Sequence, residues 1–432
     1  MLNFLKYTLL VICLAVLSFV FLNAFIPNII NGIISLSIST IIVFFIPKEI
    51  INKSGINQFY FVTIFLLLIF TPFVGEKESE SLEKRKLKEF PEWRWSNVWK
   101  FFKEYQIYFN DRFPFRNSTI NFYGNFKYEK LGFANMTGDI SFGKDNWLFY
   151  HEKDYLERIA KPFTAEELQT LHFNLVVTTK WFEQHGIKYY LLIPPSKPRI
   201  YYDETPNHMK ISTYFSRLEQ INSYLNEKST IQLIDVRKEL IEAKKYHQVY
   251  YKTDTHWNQR GAFVAYSKII NSLNVDFPEL KPIEISELKQ TSTEFVGDLM
   301  QFLGYKSTSK TYSDVFEPLD TSFTPHLVRS INLLNYSSHQ LEVWEASKSL
   351  SKLKIYVVRD SFSENLKKFL SLNFSTSVYA WTTDVPVLEA LEEKPDIILH
   401  EIVERFSFFY LELPPEIKND TAFLNQFNKE DF

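Results

Sequence analysis

Three stretches near the start of the chain, Tyr7 to Ile26, Ile29 to Ile46 and Phe59 to Val74, are almost free of charged side chains, and each approaches the length at which a helix crosses a bilayer. Apolar runs of that length are poorly accommodated in water, so residues 1–75 are expected to form a membrane region of three transmembrane helices. The first run resembles a signal peptide, but its apolar core is too long and no small-residue cleavage site follows before the second run, so retention is expected. Lys6 precedes the first run, and Lys48 and Lys53 separate the second from the third, while no Lys or Arg separates the first two. The positive-inside rule then keeps the N-terminus and the 47–58 loop in the cytoplasm and puts everything after Val74 outside the cell membrane.

Glu76 to Lys88 is a dense run of mixed charge without apolar periodicity, read as part of a linker over 76–94. Residues 95–432 are long enough for one catalytic domain, and no repeat or low-complexity tract divides them. The net charge of -3, with acidic and basic residues nearly balanced, gives no electrostatic footprint for nucleic acid and permits a neutral or sugar-like substrate. The single cysteine, Cys13, excludes an intrachain disulfide and a cysteine-ligated metal cluster.

Thr164-Ala165-Glu166-Glu167 has the capping-box pattern and predicts a helix running to about His185, closed by Gly186. Lys188 to Ile193, Ile231 to Val236, Leu353 to Val358, Ser377 to Trp381 and Asp396 to Val403 are short apolar runs alternating with helical stretches. That pattern predicts an α/β fold with a central, mainly parallel sheet. Residues 285–350 hold Gly297, Gly304, many Ser and Thr and little periodicity, and are read as an insertion or cap. Trp344 and Tyr305 there are assigned no substrate role, with core packing as the default.

Two segments carry the most specific chemistry: Asp254-Thr255-His256-Trp257 and Arg359-Asp360-Ser361-Phe362. A serine hydroxyl becomes a competent nucleophile only beside an imidazole base whose tautomer a third group fixes, and Ser361, His256 and Asp254 supply those groups. Ser361 falls between a β-rich run and a helix over Glu364 to Leu372, a turn whose first N–H groups are free to hold an oxyanion.

These segments resemble the SGNH-hydrolase-like domain of the alginate O-acetyltransferase (AlgX/AlgJ) group, in which Asp-x-His precedes the nucleophile. Asn110-Asp111-Arg112-Phe113-Pro114-Phe115-Arg116 resembles its entry motif, Gly143-Lys144-Asp145-Asn146-Trp147-Leu148-Phe149-Tyr150 its Gly-Lys-Asp-Gly-Trp-Leu-Phe segment, and Ile193-Pro194-Pro195-Ser196-Lys197 follows in order. The resemblance spans roughly residues 95 to 410. It implies a three-layer SGNH-hydrolase-like fold and a membrane-anchored O-acetyltransferase acting on hydroxyls of an extracytoplasmic polysaccharide. It further implies a membrane-bound O-acyltransferase partner as acetyl donor, since cytoplasmic acetyl-CoA does not reach an external site, and no cofactor or metal. The rival functions are a carbohydrate acetylesterase using the same residues and a non-catalytic scaffold of a polysaccharide synthase complex.

Three departures stand out. Arg359 occupies the glycine position of the usual Gly-Asp-Ser block, where it is read as a local cation; Asp254 and His256 are two rather than three residues apart, which favours transfer over hydrolysis; and Gly297 and Asn258 are only positional candidates for the family's oxyanion blocks. A structural reading makes Asp254 a turn residue, His256 a buried histidine and Asp360-Ser361 a helix cap. A zinc site of Asp254, His256 and His247 is the other alternative, without diagnostic spacing. Glu401, Glu404 and Arg405, after the last strand, are read as a surface ion pair.

Overall fold

The structure, a computed structural model, describes residues 87–93, 97–113, 116–119, 122, 140–151, 161–210, 216–229, 231, 233–302, 311–332 and 340–429. The three N-terminal apolar stretches and Tyr305 lie outside the described residues. Among the described residues no helix is long and apolar enough to cross a membrane. The chain divides into two units, residues 1–126 and 127–432.

In the first unit, helix α1 (Val98–Asp111) is capped by Asn97, whose side chain accepts from Lys100 N. Asp111 and Arg112 of the entry motif close onto the preceding strand of chain. Lys88 N donates to Asp111 Oδ2 at 2.9 Å and Arg112 Nε donates to Lys88 O at 3.0 Å.

The second unit holds eleven described strands: β1 (Ile140–Phe142), β2 (Leu148–Tyr150), β3 (Lys188–Leu192), β4 (Leu233–Ile234), β5 (Leu288–Phe295), β6 (Thr311–Pro318), β7 (His326–Asn332), β8 (Gln340–Glu345), β9 (Lys354–Arg359), β10 (Thr376–Trp381) and β11 (Ile397–Glu401). Its principal helices are α2 (Ala165–Gln184), α3 (Arg217–Lys228), α4 (Arg237–Lys244), α5 (Gln259–Leu273), α6 (Glu364–Asn373) and α7 (Val387–Glu393). Seven strands form the central sheet in the order β4-β3-β11-β9-β10-β8-β7. The five from β4 to β10 run parallel, while β8 and β7 complete the sheet antiparallel.

The five parallel strands are the five apolar runs of the sequence. They read clearly because a parallel strand is covered on both faces and can be apolar throughout. Along β9, Ile355 and Val357 join one core and Tyr356 and Val358 the other. The first core takes residues of α4, α5 and α6, the second of α2, α3 and α7, so the sheet lies between two helical layers. Helix α2 begins with the capping box foreseen in the sequence, Thr164 Oγ1 accepting from Glu167 N while Glu167 Oε2 accepts from Thr164 N, and ends before Gly186 at φ +75°. Phe182 on α2 is wholly buried, and truncating it to Ala would cost about 3–5 kcal/mol.

Residues 285–350 contain two antiparallel pairs, β5 with β6 and β7 with β8. Strand β5 is exposed over most of its length, so no buried face imposes the apolar alternation by which a strand is read in sequence.

Candidate active site

Strand β9 ends at Arg359, and the turn Ser361–Ser363 follows before α6. Asp360 shapes that turn: Oδ1 accepts from Phe362 N at 2.8 Å and Oδ2 from Val403 N at 2.9 Å. With Phe362 N–H committed to Asp360, the Ser361 N–H is left without an acceptor among the described residues.

The loop before α5 delivers the other two residues. His256 Nε2 lies 2.8 Å from Ser361 Oγ, and His256 Nδ1 lies 2.6 Å from Asp254 Oδ1. A carboxylate only accepts, so Nδ1 carries the proton and Nε2 is left to accept from the serine hydroxyl. Asp254 Oδ1 also accepts from His256 N at 3.0 Å, and Oδ2 from Asp298 N at 2.8 Å. Burial alone would raise the Asp254 carboxyl, but the His256 bond and charge and the two backbone N–H groups hold it at about 2. Burial alone would lower His256; the Asp254 bond and charge and the charge of Asp298 outweigh it and raise the imidazole above its ordinary value.

The flanking aromatic residues of the two segments join them. Trp257 Nε1 donates to Phe362 O at 2.8 Å, Asn365 Nδ2 donates to Trp257 O at 3.0 Å, and the Phe362 ring packs against the rings of His256 and Trp257 at 4.9 and 5.3 Å.

Asp298 is the carboxylate the sequence reading missed. Its oxygens accept from Thr255 N at 3.0 Å and Thr255 Oγ1 at 2.8 Å, and one lies 3.8 Å from His256 Nδ1. Burial and the neighbouring Asp254 raise its pKa. Gly297 makes this approach possible. A Cβ there would lie 1.9 Å from Thr253 O, so Gly297 serves backbone packing. Asn258 is likewise committed elsewhere: it caps α5 by accepting from Gly261 N and donates to Gln248 O.

Asp254, His256 and Asp298 bring one ligand atom each within 4.8 Å of one another. His247, the third residue of the zinc alternative, is exposed and outside this group. The carboxylate oxygens of the group already accept from three backbone N–H groups, a hydroxyl and the imidazole, so the donor set fits a hydrogen-bond network better than a metal cage.

Lys197 ties two other motifs to this loop, its own Ile193–Lys197 segment and the Gly143–Tyr150 segment. Its ammonium, on a side chain that is only 3% exposed, donates to Leu148 O at 2.6 Å, Lys252 O at 2.9 Å and Asp254 O at 2.8 Å, beneath the rings of Trp147 and Phe149. Burial pulls its pKa down to about 7, against the charges of Asp254 and Asp298, and three carbonyl acceptors call for three N–H donors. In the Gly143–Tyr150 segment, Asn146 stands where the family motif has glycine and adopts φ +63°, a conformation that Asn tolerates.

The expectation of a surface ion pair at 401–405 is overturned. Glu401 and Glu404 are fully buried. Glu401 Oε2 accepts from Ser363 Oγ at 2.7 Å and from Asp360 N at 3.2 Å beneath the nucleophile turn, and burial and the Asp360 charge raise its pKa well above the usual carboxyl range. Glu404 accepts from Ser196 N at 3.1 Å and faces Arg199 at 3.8 Å. Arg405 instead covers the Phe362 ring at 5.5 Å. A strand end that meets a buried turn needs acceptors for its N–H groups, and that is what these two carboxyls supply. Arg359 is fully buried, paired with Glu364 at 2.6 Å and stacked over Trp381 at 4.3 Å.

The chain is similar to several known proteins. A probable alginate O-acetylase AlgJ of Pseudomonas syringae pv. tomato is 26% identical over 206 residues, covering 47% of this chain and 51% of the relative. Its counterpart in Pseudomonas putida is 27% identical over 169 residues, covering 38% and 41%. The chain thus spans about half the length, or less, of these curated relatives. The solved O-acetyltransferase domain of Pseudomonas putida AlgJ aligns with a TM-score of 0.42 at 18% identity, covering 66% of this chain and 97% of that one. Residues 140–384, more than half of the chain, match the family described as "SGNH hydrolase-like domain, acetyltransferase AlgX", and the chain belongs to that family.

Proposed function

We propose that this protein is a membrane-anchored O-acetyltransferase that moves acetyl groups through Ser361 onto hydroxyls of an extracytoplasmic polysaccharide. The observation that carries the reading is the continuous line Asp254–His256–Ser361, with contacts of 2.6 and 2.8 Å, in a chain of the AlgX family. His256 Nε2 takes the Ser361 proton as Oγ bonds to the acetyl carbonyl carbon, and the proton then passes to the departing donor group. The acetylserine is attacked by a sugar hydroxyl whose proton goes to His256 and returns to Ser361 Oγ as the ester bond breaks. The Ser361 N–H faces the developing oxyanion in both steps. Asp254 holds the tautomer, and Asp298 adds negative charge beside the imidazolium.

In this reading residues 1–75 form the membrane region, 76–94 a charged linker and 95–432 the catalytic domain. The donor is an acetyl group relayed by a membrane-bound O-acyltransferase, because an active site outside the cytoplasm has no direct access to acetyl-CoA.

The test is the intact mass of the full chain in detergent after incubation with an activated acetyl ester, with and without oligosaccharide acceptor. An acetyl adduct on Ser361 that chases onto sugar is expected, and Ser361→Ala abolishes both. Acetate released equally fast without acceptor would make the protein an esterase. If acetylation in cells survived Ser361→Ala, the mechanism would be wrong.

A further inference from the structure

A cleft of about 490 Å³ opens beside α6, and Asp254, His256 and Ser361 are not among its lining residues. One wall is Glu364, Lys367, Lys368, Ser371 and Leu372. These positions recur at the three- and four-residue spacing of a single helix face, so the cleft follows α6 for about 12 Å at 1.5 Å per residue. The opposite wall includes Phe316 and Pro318 of β6 and Pro325, with Trp344 of β8 alongside.

Of the cleft's lining residues, Glu364 is the one nearest the nucleophile along the chain. Glu364 follows the Ser361–Ser363 turn directly, and three residues of 3₁₀ geometry put it about 6 Å of backbone from Ser361. Its charges are matched and largely satisfied internally. Lys367 pairs with Glu342 at 2.9 Å and Glu364 at 3.0 Å, and Lys368 donates to Gln259 Oε1 at 2.9 Å and Phe316 O at 3.1 Å. Trp344 Nε1 donates to Glu342 Oε2 at 2.9 Å, which pins the indole. Glu317 and Thr324 keep side-chain oxygens without a hydrogen-bond partner among the described residues.

An elongated cleft with a fixed indole, two prolines, no excess charge and free hydrogen-bonding oxygens suits a row of pyranose rings, whose C–H faces stack and whose hydroxyls reach the edges. Lipid would leave those edge oxygens unused. We infer that the cleft along α6 is an extended track that binds the sugar residues flanking the one presented to Ser361. The inference rests on the acetyl-transfer reading and names where its acceptor lies.

The test is equilibrium titration of the full chain in detergent with oligosaccharides of increasing length in an acidic (alginate), a neutral (β-glucan) and an amino-sugar (N-acetylglucosamine) series. At least one series is expected to bind more tightly as it lengthens, Trp344→Ala to weaken the longer members roughly tenfold, equivalent to about 1.4 kcal/mol, and Trp344→Tyr to restore most of that. Loss of length dependence in Pro325→Ala or Thr324→Val would support the track if Trp344→Ala fails to fold. Length-independent binding by the unaltered protein in all three series, or an unchanged length series in folded Trp344→Ala, overturns the inference, as does saturation by a lipid acyl chain alone. Acetylserine measured in parallel separates the two failures. An adduct without a length effect defeats only the track, and its absence defeats the transferase reading itself.

Discussion

Replacing Lys197 by Met removes the ammonium that joins Leu148, Lys252 and Asp254 while keeping much of the aliphatic stem. Three carbonyl oxygens bonded at 2.6–2.9 Å then lose their donor at a buried position. Leaving a buried acceptor without a donor costs about 1–3 kcal/mol, and a loss of at least that size is expected by urea denaturation at pH 6. A second signature follows from proton linkage. Because the folded value lies near 7 against 10.5 for an ordinary lysine, the unfolded chain holds the proton more tightly between those values. Its proton count there exceeds that of the folded protein, so this residue makes stability rise with pH by up to about 1.4 kcal/mol per unit. The slope is expected in the unaltered protein and missing from Lys197→Met. Acetylserine formation is expected to fall as well, since Asp254 loses its tether. A destabilisation below about 1 kcal/mol, or the same pH slope with and without the lysine, would refute the view that Lys197 is a buried three-way clamp.

Three other outcomes are expected. Acetylserine formation by the unaltered protein should show an acid limb with its midpoint above pH 6.5, because Asp254 and Asp298 favour protonated His256; Asp254→Asn should move the midpoint down and slow the reaction, as read by pH-dependent mass kinetics. Glu401 is raised, so the folded protein binds more protons than the unfolded chain above pH 4.5 and its contribution to stability declines as pH increases from there; Glu401→Gln should remove that decline in thermal melts across pH 5–8. Gly297→Ala should destabilise by about 1–3 kcal/mol and depress activity, since the added methyl collides with Thr253 O beside Asp254, and an unchanged melting curve would argue against that close approach.

Much of the architecture was legible because parallel strands and a capped helix leave local signatures. The apolar runs around Leu191, Val357, Ala380 and Leu399 and the Thr164–Glu167 box need no knowledge of their neighbours to be read. Ser361, His256 and Asp254 were legible for a different reason, as uncommon residue combinations in a recognisable order. What stayed hidden depends on partners distant in the chain. Asp298 reads as an ordinary helix-start residue until Gly297 brings it against Thr253 and Asp254. Lys197 reads only as the end of a motif until its three acceptors are seen, and Glu401 and Glu404 read with Arg405 as a surface ion pair although the folded chain encloses both carboxyls. A charged residue in sequence announces water, and only the fold reveals that backbone groups take the water's place.

The sheet order also governs when the protein becomes whole. Strand β11, the last of the sheet in the chain, lies between β3 and β9, whose sequence positions are separated by five other strands. Until residue 401 has left the ribosome, β3 and β9 have no shared neighbour, and the centre of the sheet presents two unpaired edges. Closure by so distant a segment implies slow, high-contact-order folding and a long interval of exposed strand edges during synthesis. Since the same strand brings Glu401 beneath Ser363, the nucleophile turn acquires its support only at this final insertion. A nascent or truncated chain lacking β11 would therefore depend on chaperone protection while remaining chemically silent.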